Sequence, residues 1–233
     1  MSVLLLVRHG QASFGKSDYD ALSDLGHHQA RVLGRALAGR GVLPDVIVRG
    51  ELRRHRETAE GILEGLTNAE GCSPAVEVDM RWDEFDFQHV MEVHNPLYRS
   101  RARVLADYAR IPAAQRNARF QAMFEEATGR WTGGGADEDY HESFPAFSRR
   151  VDSAVRSAVE RVEKVVLVVS SGGPISLVAA GLIGQDSAAW TRLNRAAVNT
   201  GVTKILRGAE SLTLSTYNEH SHLEHDRSLI TYR

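Results

Sequence analysis

The sequence predicts a three-layer α/β/α fold in which helices cover both faces of a mostly parallel central sheet. Two continuous apolar runs, residues 3–7 and 165–169, are typical of strands buried on both faces of such a sheet. Strand-like and helix-like segments also alternate on either side of the middle of the chain. With 233 residues, 42% of them hydrophobic and 25% charged, the composition is that of a globular protein and excludes wholesale disorder.

The first half of the chain predicts two strand–helix units. After the strand at residues 3–7, Ser23 is a good N-cap for a helix that Gly39 and Gly41 end. A second short strand is expected at residues 45–48. The helix after it carries apolar residues at helical spacing, namely Leu52, Ala59, Ile62, Leu63 and Leu66.

The second half predicts a helical insertion and then a return to the first pattern. Residues 88–140 show no clear strand, so we interpret them as an insertion within one domain spanning residues 1–233. An amphipathic helix beginning near Phe144 leads into the strand at 165–169, and Pro174 lies near the first turn of the next helix. Residues 198–206 and 211–217 are expected to form a closing strand pair.

Charge and cysteine content exclude several classes of function. Twenty-eight Lys and Arg against 30 Asp and Glu argue against a general nucleic-acid coat, and the apolar runs are too short to cross a bilayer. A single cysteine, Cys72, excludes an internal disulfide and a cysteine-based zinc site. We expect a cytoplasmic protein with no nucleic-acid or membrane partner, and the sequence leaves a homodimer open.

Polar, glycine-containing turns follow the two best strands. They are Arg8-His9-Gly10 and Ser170-Ser171-Gly172-Gly173. Ligands of open α/β sheets bind beyond the carboxyl ends of the strands, so two central strands would bring these turns into one crevice. Arginine and glycine N–H groups suit a phosphoryl group, and histidine suits a nucleophile or a base. The residues themselves therefore predict an anion site that contains an imidazole.

Five ordered segments resemble the histidine phosphatase superfamily, which has the phosphoglycerate mutase-like fold. They are residues 6–12 (LVRHGQA), 22–30 (LSDLGHHQA), 52–59 (LRRHRETA, similar to the family's L-x-R-A-x-Q-T-A), 82–87 (WDEFDF) and 218–223 (NEHSHL). The resemblance spans almost the whole chain. It implies an enzyme that acts on a small phosphorylated substrate without metal or cofactor, whereas the identity of the substrate is not readable.

The resemblance also implies roles for particular residues. His9 would attack phosphorus and become a phosphohistidine that water cleaves, while Arg8 and Arg54 would hold the phosphoryl oxygens. Glu84 would protonate the leaving oxygen and later activate the water. Three further candidates for contact with phosphate or substrate are Gln11, Ser23 and Gly172.

One departure from the family pattern concerns the later strand. Where the family usually has V-V-S-H-G, this chain has V-V-S-S-G, so Ser171 stands in place of a second pocket histidine and marks a subgroup. Losing one preorganised donor typically costs about 10²–10³ in rate, which predicts a weakened phosphatase unless another group compensates. His141 is one candidate, although a role as a surface loop residue is the stronger interpretation.

Other interpretations remain open at this stage. One is a mutase that moves phosphate within a sugar acid, and another is a phospho-ligand binding protein that Ser171 would favour. Several arginines surround His55, and helical spacing puts them on different faces of the helix. We expect Arg54 to lie in the pocket and the others to lie in solvent. The histidines of the C-terminal segment have ligand-like spacing, but without a known metal-site pattern we expect no metal there.

Overall fold

The computed structural model describes residues 2–13, 20–67, 73–100, 103–104, 106, 109–185, 187–208 and 211–232. The chain forms two compact units, one of Met1–Glu84 with Val151–Arg233 and the other of Phe85–Arg150. The single cysteine, Cys72, lies outside the described residues.

The larger unit is built on one mixed sheet. Its described strands are β1 (Ser2–Arg8), β2 (Val46–Arg49), β3 (Ala75–Val78), β4 (Val165–Ser170), β5 (Val202–Arg207) and β6 (Leu212–Glu219). They are ordered β3-β2-β4-β1-β5-β6. The first four in that order are mutually parallel, and β5 is antiparallel to both β1 and β6. The mostly parallel sheet that the sequence predicts is confirmed.

Seven α-helices occur in the part of the chain that the structure describes. They are α1 (Asp24–Gly39), α2 (Arg53–Leu66), α3 (Phe87–His94), α4 (Ala113–Thr132), α5 (Phe144–Val159), α6 (Gly172–Leu182) and α7 (Ser187–Ala196). Within the described ranges, none of them is both long enough and apolar enough to cross a membrane.

Local signals explain where α1 and α2 begin. Ser23 is the N-cap of α1, and its hydroxyl accepts a hydrogen bond from the N–H of Gly26 at 3.1 Å. Leu52, the N-cap of α2, has no side chain that could do this. The carboxylate of Asp20 accepts from the N–H of Arg53 at 2.7 Å instead, so a residue outside the helix satisfies its first turn.

The core of the larger unit forms where α1 and α2 pack on one face of the sheet. Leu5 and Val7 of β1 lie in this core, while Leu4 and Leu6, which point to the opposite face, are buried as well. This burial on both faces is what the continuous apolar run predicts. The remaining core residues on the α1–α2 face are Leu33, Leu37, Ile47, Ala59, Ile62, Leu66, Leu167, Val169 and Val202.

Three features of the larger unit differ from the sequence-based expectation. The edge strand β3 was not predicted, because all four of its residues are exposed and it has no buried face to give a pattern. Helix α7 was not predicted either. The closing strand β5 begins at Val202 and not at residue 198, because Thr200 has φ 58°, outside the extended region, and its N–H donates to the carbonyl of Arg8.

The described part of the smaller unit, Phe85–Arg150, is helical, as predicted for the insertion. Its aromatic centre stacks Phe85 on Trp131 with ring centroids 4.6 Å apart, and Phe147 meets Phe85 edge-on at 5.7 Å. The guanidinium of Arg150 forms a two-pronged ion pair with Glu142 at 2.7 and 2.8 Å.

His222 is a buried histidine in the C-terminal part of the larger unit, close to Thr200. It is 6% exposed, and its Nε2 lies 3.0 Å from the hydroxyl of Thr200. Burial lowers the pKa of His222 to about 4, although the charge of Glu219 acts in the opposite direction. The folded protein therefore holds this imidazole neutral at pH values where the unfolded chain would protonate it.

This burial predicts acid sensitivity. The stabilising contribution of neutral His222 is complete above pH 6.5 and is lost as pH falls toward about 4, the pKa in the folded protein. In this window the free energy of unfolding should fall by about 1.4 kcal/mol per pH unit from this group alone. Urea unfolding at pH 7, 6 and 5 gives the dependence of the unfolding free energy on pH. We expect His222→Gln to lack the part of this dependence that comes from His222.

The exposed His28→Gln variant is the control and should keep the slope of the unchanged protein. A residual slope is expected in both variants, because burial also lowers the pKa of His9 and of His55. An unchanged slope in His222→Gln would contradict the assignment.

Candidate functional site

The turns after β1 and β4 lie side by side at the carboxyl edge of the sheet. Arg8 is paired with Ser170 across the two strands, and the N–H of His9 donates to the carbonyl of Ser170 at 2.9 Å. β2 flanks β4 on its other side, so the start of α2 reaches the same edge. The crevice predicted from the sequence therefore lies where three parallel strands end.

His9 is fixed in one tautomer. Its Nδ1 lies 2.7 Å from the carbonyl oxygen of Gly10, and because a carbonyl only accepts, Nδ1 carries the hydrogen. The neutral ring therefore keeps its lone pair on Nε2. The backbone on both sides is held as well, since Asn199 donates to the carbonyl of His9 at 3.0 Å and the N–H of Gly10 donates to the hydroxyl of Thr58 at 3.0 Å.

The surroundings of His9 also keep the ring neutral. Burial lowers the pKa of His9 well below its usual value, and the positive charges of Arg54 and Arg8 lower it further. The contact with Gly10 opposes this shift without cancelling it. An unprotonated Nε2 is what a nucleophilic imidazole requires.

Arg54 lies on the first turn of α2, and most of its side chain is buried. Its Nη1 donates to Oδ1 of Asp20 at 2.6 Å. The same carboxylate holds the first N–H of α2 through its other oxygen. An arginine and a helix N-terminus together form a site that suits an anion, and the carboxylate of Asp20 occupies this site.

Arg8 is tied to the C-terminal part of the chain. Its Nη1 donates to the carbonyl of Ala197 and, at 3.0 Å, to that of Tyr232. The positive charge of Arg8 also lowers the pKa of His9, although burial and Arg54 lower this pKa more. Arg8 thus combines a structural anchor with a contribution to the positive potential of the crevice.

Glu84 reaches the N-terminus of α6. Its Oε2 accepts from the N–H of Gly173 at 3.1 Å, in the first turn of the helix that Gly172 opens. A carboxylate is favoured there by the partial positive charge of the helix end. The structure places this acid beside the turn that holds Ser171.

Ser171 does not cap the helix that it precedes. It is the N-cap residue of α6 and is fully buried, but its side chain makes no capping hydrogen bond. Its hydroxyl lies instead 2.8 Å from Nε2 of His55, which is 0% exposed. The His55 ring lies 5.8 Å from the ring of His9, measured between centroids. A second imidazole is therefore present beside His9, on α2.

Asp83 lies on the far side of that imidazole. Its Oδ1 is 3.4 Å from Nδ1 of His55 and accepts from the N–H of Glu51 at 2.8 Å. Burial alone would raise the pKa of Asp83, but His55 and nearby backbone N–H groups lower this pKa by more. The pKa is therefore lowered overall, and the carboxylate is charged. The two side chains meet over Gly50, where a Cβ would stand 2.3 Å from each of the facing atoms.

Gln11 and Ser23, two further candidates from the sequence, contact each other. The hydroxyl of Ser23 donates to Oε1 of Gln11 at 2.8 Å while capping α1, and the N–H of Gln11 donates to Gln29 at 2.8 Å. His141 belongs to the smaller unit, is exposed and stacks on His89 with ring centroids 3.7 Å apart.

Sequence analysis assigned no role to His55 or Asp83. His55 was interpreted within a set of arginines on one helix, and its partner lies 116 residues away in the chain. A signal was nevertheless present. His55 stands at the alanine of the L-x-R-A-x-Q-T-A pattern and Ser171 at the histidine of the V-V-S-H-G pattern, so both residues of the contact depart from the family's patterns.

Comparison with protein families identifies one match. A sequence profile of the histidine phosphatase superfamily, branch 1, matches residues 4–119 and 107–220. The search of curated proteins gave no match.

Solved structures of several phosphoryl-transfer proteins share the fold. A phosphoserine phosphatase mutant from Entamoeba histolytica, in complex with phosphoserine, aligns with a TM-score of 0.62 at 18% identity, covering 96% of this chain and 100% of that one. The mycobacterial glucosyl-3-phosphoglycerate phosphatase aligns at 0.62 and 22% identity, covering 95% and 100%. A phosphoglycerate mutase from Bacillus anthracis str. Sterne aligns at 0.63 and 17%, covering 96% and 95%.

The crowded contact at Gly50 gives a test of the site geometry. In Gly50→Ala the new methyl group would collide with both Asp83 and His55, so overpacking should lower the free energy of unfolding by about 1–3 kcal/mol. The control is Gly39→Ala at the end of α1, where a Cβ meets nothing within 4 Å. It should change stability by less than about 0.5 kcal/mol. Equal urea midpoints for the two variants would contradict this geometry.

Proposed function

Because the chain belongs to the histidine phosphatase superfamily, we propose that it is a metal-independent phosphatase that hydrolyses a phosphate monoester through a phosphohistidine on His9. The observation that carries the proposal is the state of His9, a buried, neutral imidazole whose hydrogen is held on Nδ1 by Gly10. Its Nε2 lone pair is therefore available at neutral pH without a separate base.

In the first step, Nε2 of His9 attacks phosphorus and the bond from phosphorus to the ester oxygen breaks. The leaving oxygen takes a proton from the carboxyl group of Glu84. The charge on the equatorial oxygens is stabilised by Arg8 and Arg54, and arginine can do this without a metal ion. The protein is left with a phosphorus–nitrogen bond, and the alcohol departs.

In the second step, water attacks the phosphohistidine. The carboxylate of Glu84 takes the proton of the water, the phosphorus–nitrogen bond breaks and inorganic phosphate leaves. Glu84 is then protonated again and His9 is neutral, so the cycle closes without a net change in the protein. The position of Glu84, half-buried and beside the turn that holds Ser171, supports this exchange of roles.

The substrate proposed is a small phosphorylated compound. Two structural relatives, a phosphoserine phosphatase and a glucosyl-3-phosphoglycerate phosphatase, support this class. Product analysis separates the proposal from a mutase, since a phosphatase releases inorganic phosphate and a mutase returns an isomeric ester. A binding protein would bind phosphate and show no turnover.

The nucleophile is tested by His9→Ala. Without Nε2 no phosphohistidine can form, so release of p-nitrophenol from p-nitrophenyl phosphate in the presence of EDTA should fall by more than about 10⁴-fold. Acid-labile, alkali-stable labelling of the protein by a ³²P-phosphate ester should vanish with it. The exposed His28→Ala should keep both. Substantial turnover by folded His9→Ala would rule out the mechanism.

The anion pocket is tested through Arg54 and its carboxylate partner. Arg54→Gln should weaken competitive inhibition by inorganic phosphate about tenfold to a hundredfold, the worth of one charged hydrogen bond. Asp20→Asn should strengthen it, because asparagine can still cap α2 but no longer repels the anion. Arg56→Gln on the exposed face of the same helix is the control. Phosphate inhibition unchanged in both pocket variants would contradict the assignment.

A further inference from the structure

The contact between Ser171 and His55 takes the place of a helix cap. A serine at an N-cap usually accepts from the N–H of the second or third residue of its own helix. Ser171 has extended backbone angles suited to capping, yet its hydroxyl is directed to the imidazole of His55. The N–H of Gly173 is satisfied by Glu84 instead. The third residue of the helix, Pro174, has no N–H, so the first turn of α6 leaves the hydroxyl of Ser171 available to His55.

The geometry of His55 limits its protonation states to two. Its Nδ1 faces the charged carboxylate of Asp83, so Nδ1 carries a hydrogen. In the neutral ring Nε2 then accepts from the hydroxyl of Ser171, which has no hydrogen left for a ligand. In the protonated ring Nε2–H donates to the oxygen of Ser171, and the hydroxyl hydrogen is free to turn toward a phosphoryl oxygen.

We propose that Asp83, His55 and Ser171 together supply the second cationic donor of the phosphoryl pocket. His55 takes up one proton from solvent when a phosphoryl dianion binds, and Ser171 then donates its hydroxyl hydrogen to a phosphoryl oxygen. No covalent bond of the protein changes. Ser171, which is 0% exposed in the free protein, comes into contact with the ligand only as the ligand binds, and His55 and Asp83 are positioning residues that act through Ser171. The inference rests on the proposed function, because it concerns the same phosphoryl site.

The charges that face His55 fit a proton that is taken up only with the ligand. Burial lowers the pKa of His55, Asp83 and Asp20 raise it, and Arg54 on the same helix lowers it. The neutral ring of His9 lies beside it on the β1 side. In the free protein the net shift is downward, so the ring is neutral at pH 7. A bound dianion adds a negative charge on this side and favours the protonated form.

An exchange of the two residues gives the sharpest kinetic test. His55→Ala should lower kcat/KM for p-nitrophenyl phosphate by about 10²–10³-fold, the loss typical of one preorganised donor. His55→Ala/Ser171→His returns an imidazole to the same buried space with nearly the same total volume, and should recover activity to within about tenfold of the unchanged protein. A folded double variant no more active than His55→Ala would overturn the proposal.

Two conservative variants show whether the residues act as a unit. Ser171→Ala and His55→Gln should each lower kcat/KM, and the double variant should lose little more than either alone, because both remove the same donor. Additive losses would overturn the inference. Asp83→Asn keeps the imidazole and its packing, so it carries the same test if His55 variants do not fold. Thermal unfolding establishes which variants are folded.

Sulfate binding measures the proton directly, since sulfate stays a dianion throughout the neutral range. In the His9→Ala background, which removes the other imidazole, calorimetry in buffers of different ionisation enthalpy should show about one more proton taken up per sulfate than in His9→Ala/His55→Gln. Equal proton uptake by the two proteins would overturn the proposal.

These experiments also separate this inference from the proposed function. Proton uptake with sulfate that depends on His55, in a chain without turnover, would keep the inference as a binding device and reject the phosphatase. Turnover and labelling that depend on His9, with no effect of His55→Gln, would do the reverse. An acid-stable phosphoryl label on Ser171 would overturn the inference, because the serine would then be a nucleophile and not a donor.

Discussion

The parallel pairing of β1 with β4 is the constraint on which the site depends. Apolar side chains on both faces of these strands fix their register, because a shift by one residue would reverse every side chain. The register sets Arg8 opposite Ser170, so the next residues, His9 and Ser171, leave the sheet as neighbours. A core built from aliphatic side chains thus positions the polar groups of the site.

Burial and positive charge together set the protonation state of the site. Burial favours neutral imidazoles and the nearby arginines repel a further positive charge, so both effects lower the pKa of His9. Asp20 compensates the charge of Arg54, and Asp83 faces His55. Arg8, Arg54 and His55 thus have acidic or carbonyl partners that come from other parts of the chain, which makes the arrangement dependent on the whole larger unit.

The sequence predicted the parts of this molecule that follow from local physics. The strands at residues 3–7 and 165–169 and the cap at Ser23 could be predicted because burial on both faces and capping leave marks in consecutive residues. β3 left no such mark, since none of its residues is buried. His55 could not be assigned from its own helix, because its partner comes from a strand end far along the chain.

The buried contact between Ser171 and His55 makes two positions that are distant in the chain depend on each other. Suppose that an ancestor carried alanine at 55 and histidine at 171, as the family pattern has. One single-step intermediate would place two imidazoles in a space where both positions are now 0% exposed, and the other would leave the space empty. Both intermediates are penalised, so neither substitution is neutral without the other. Positions 55 and 171 are therefore energetically coupled through their shared space, and the effect of a substitution at one depends on the residue at the other.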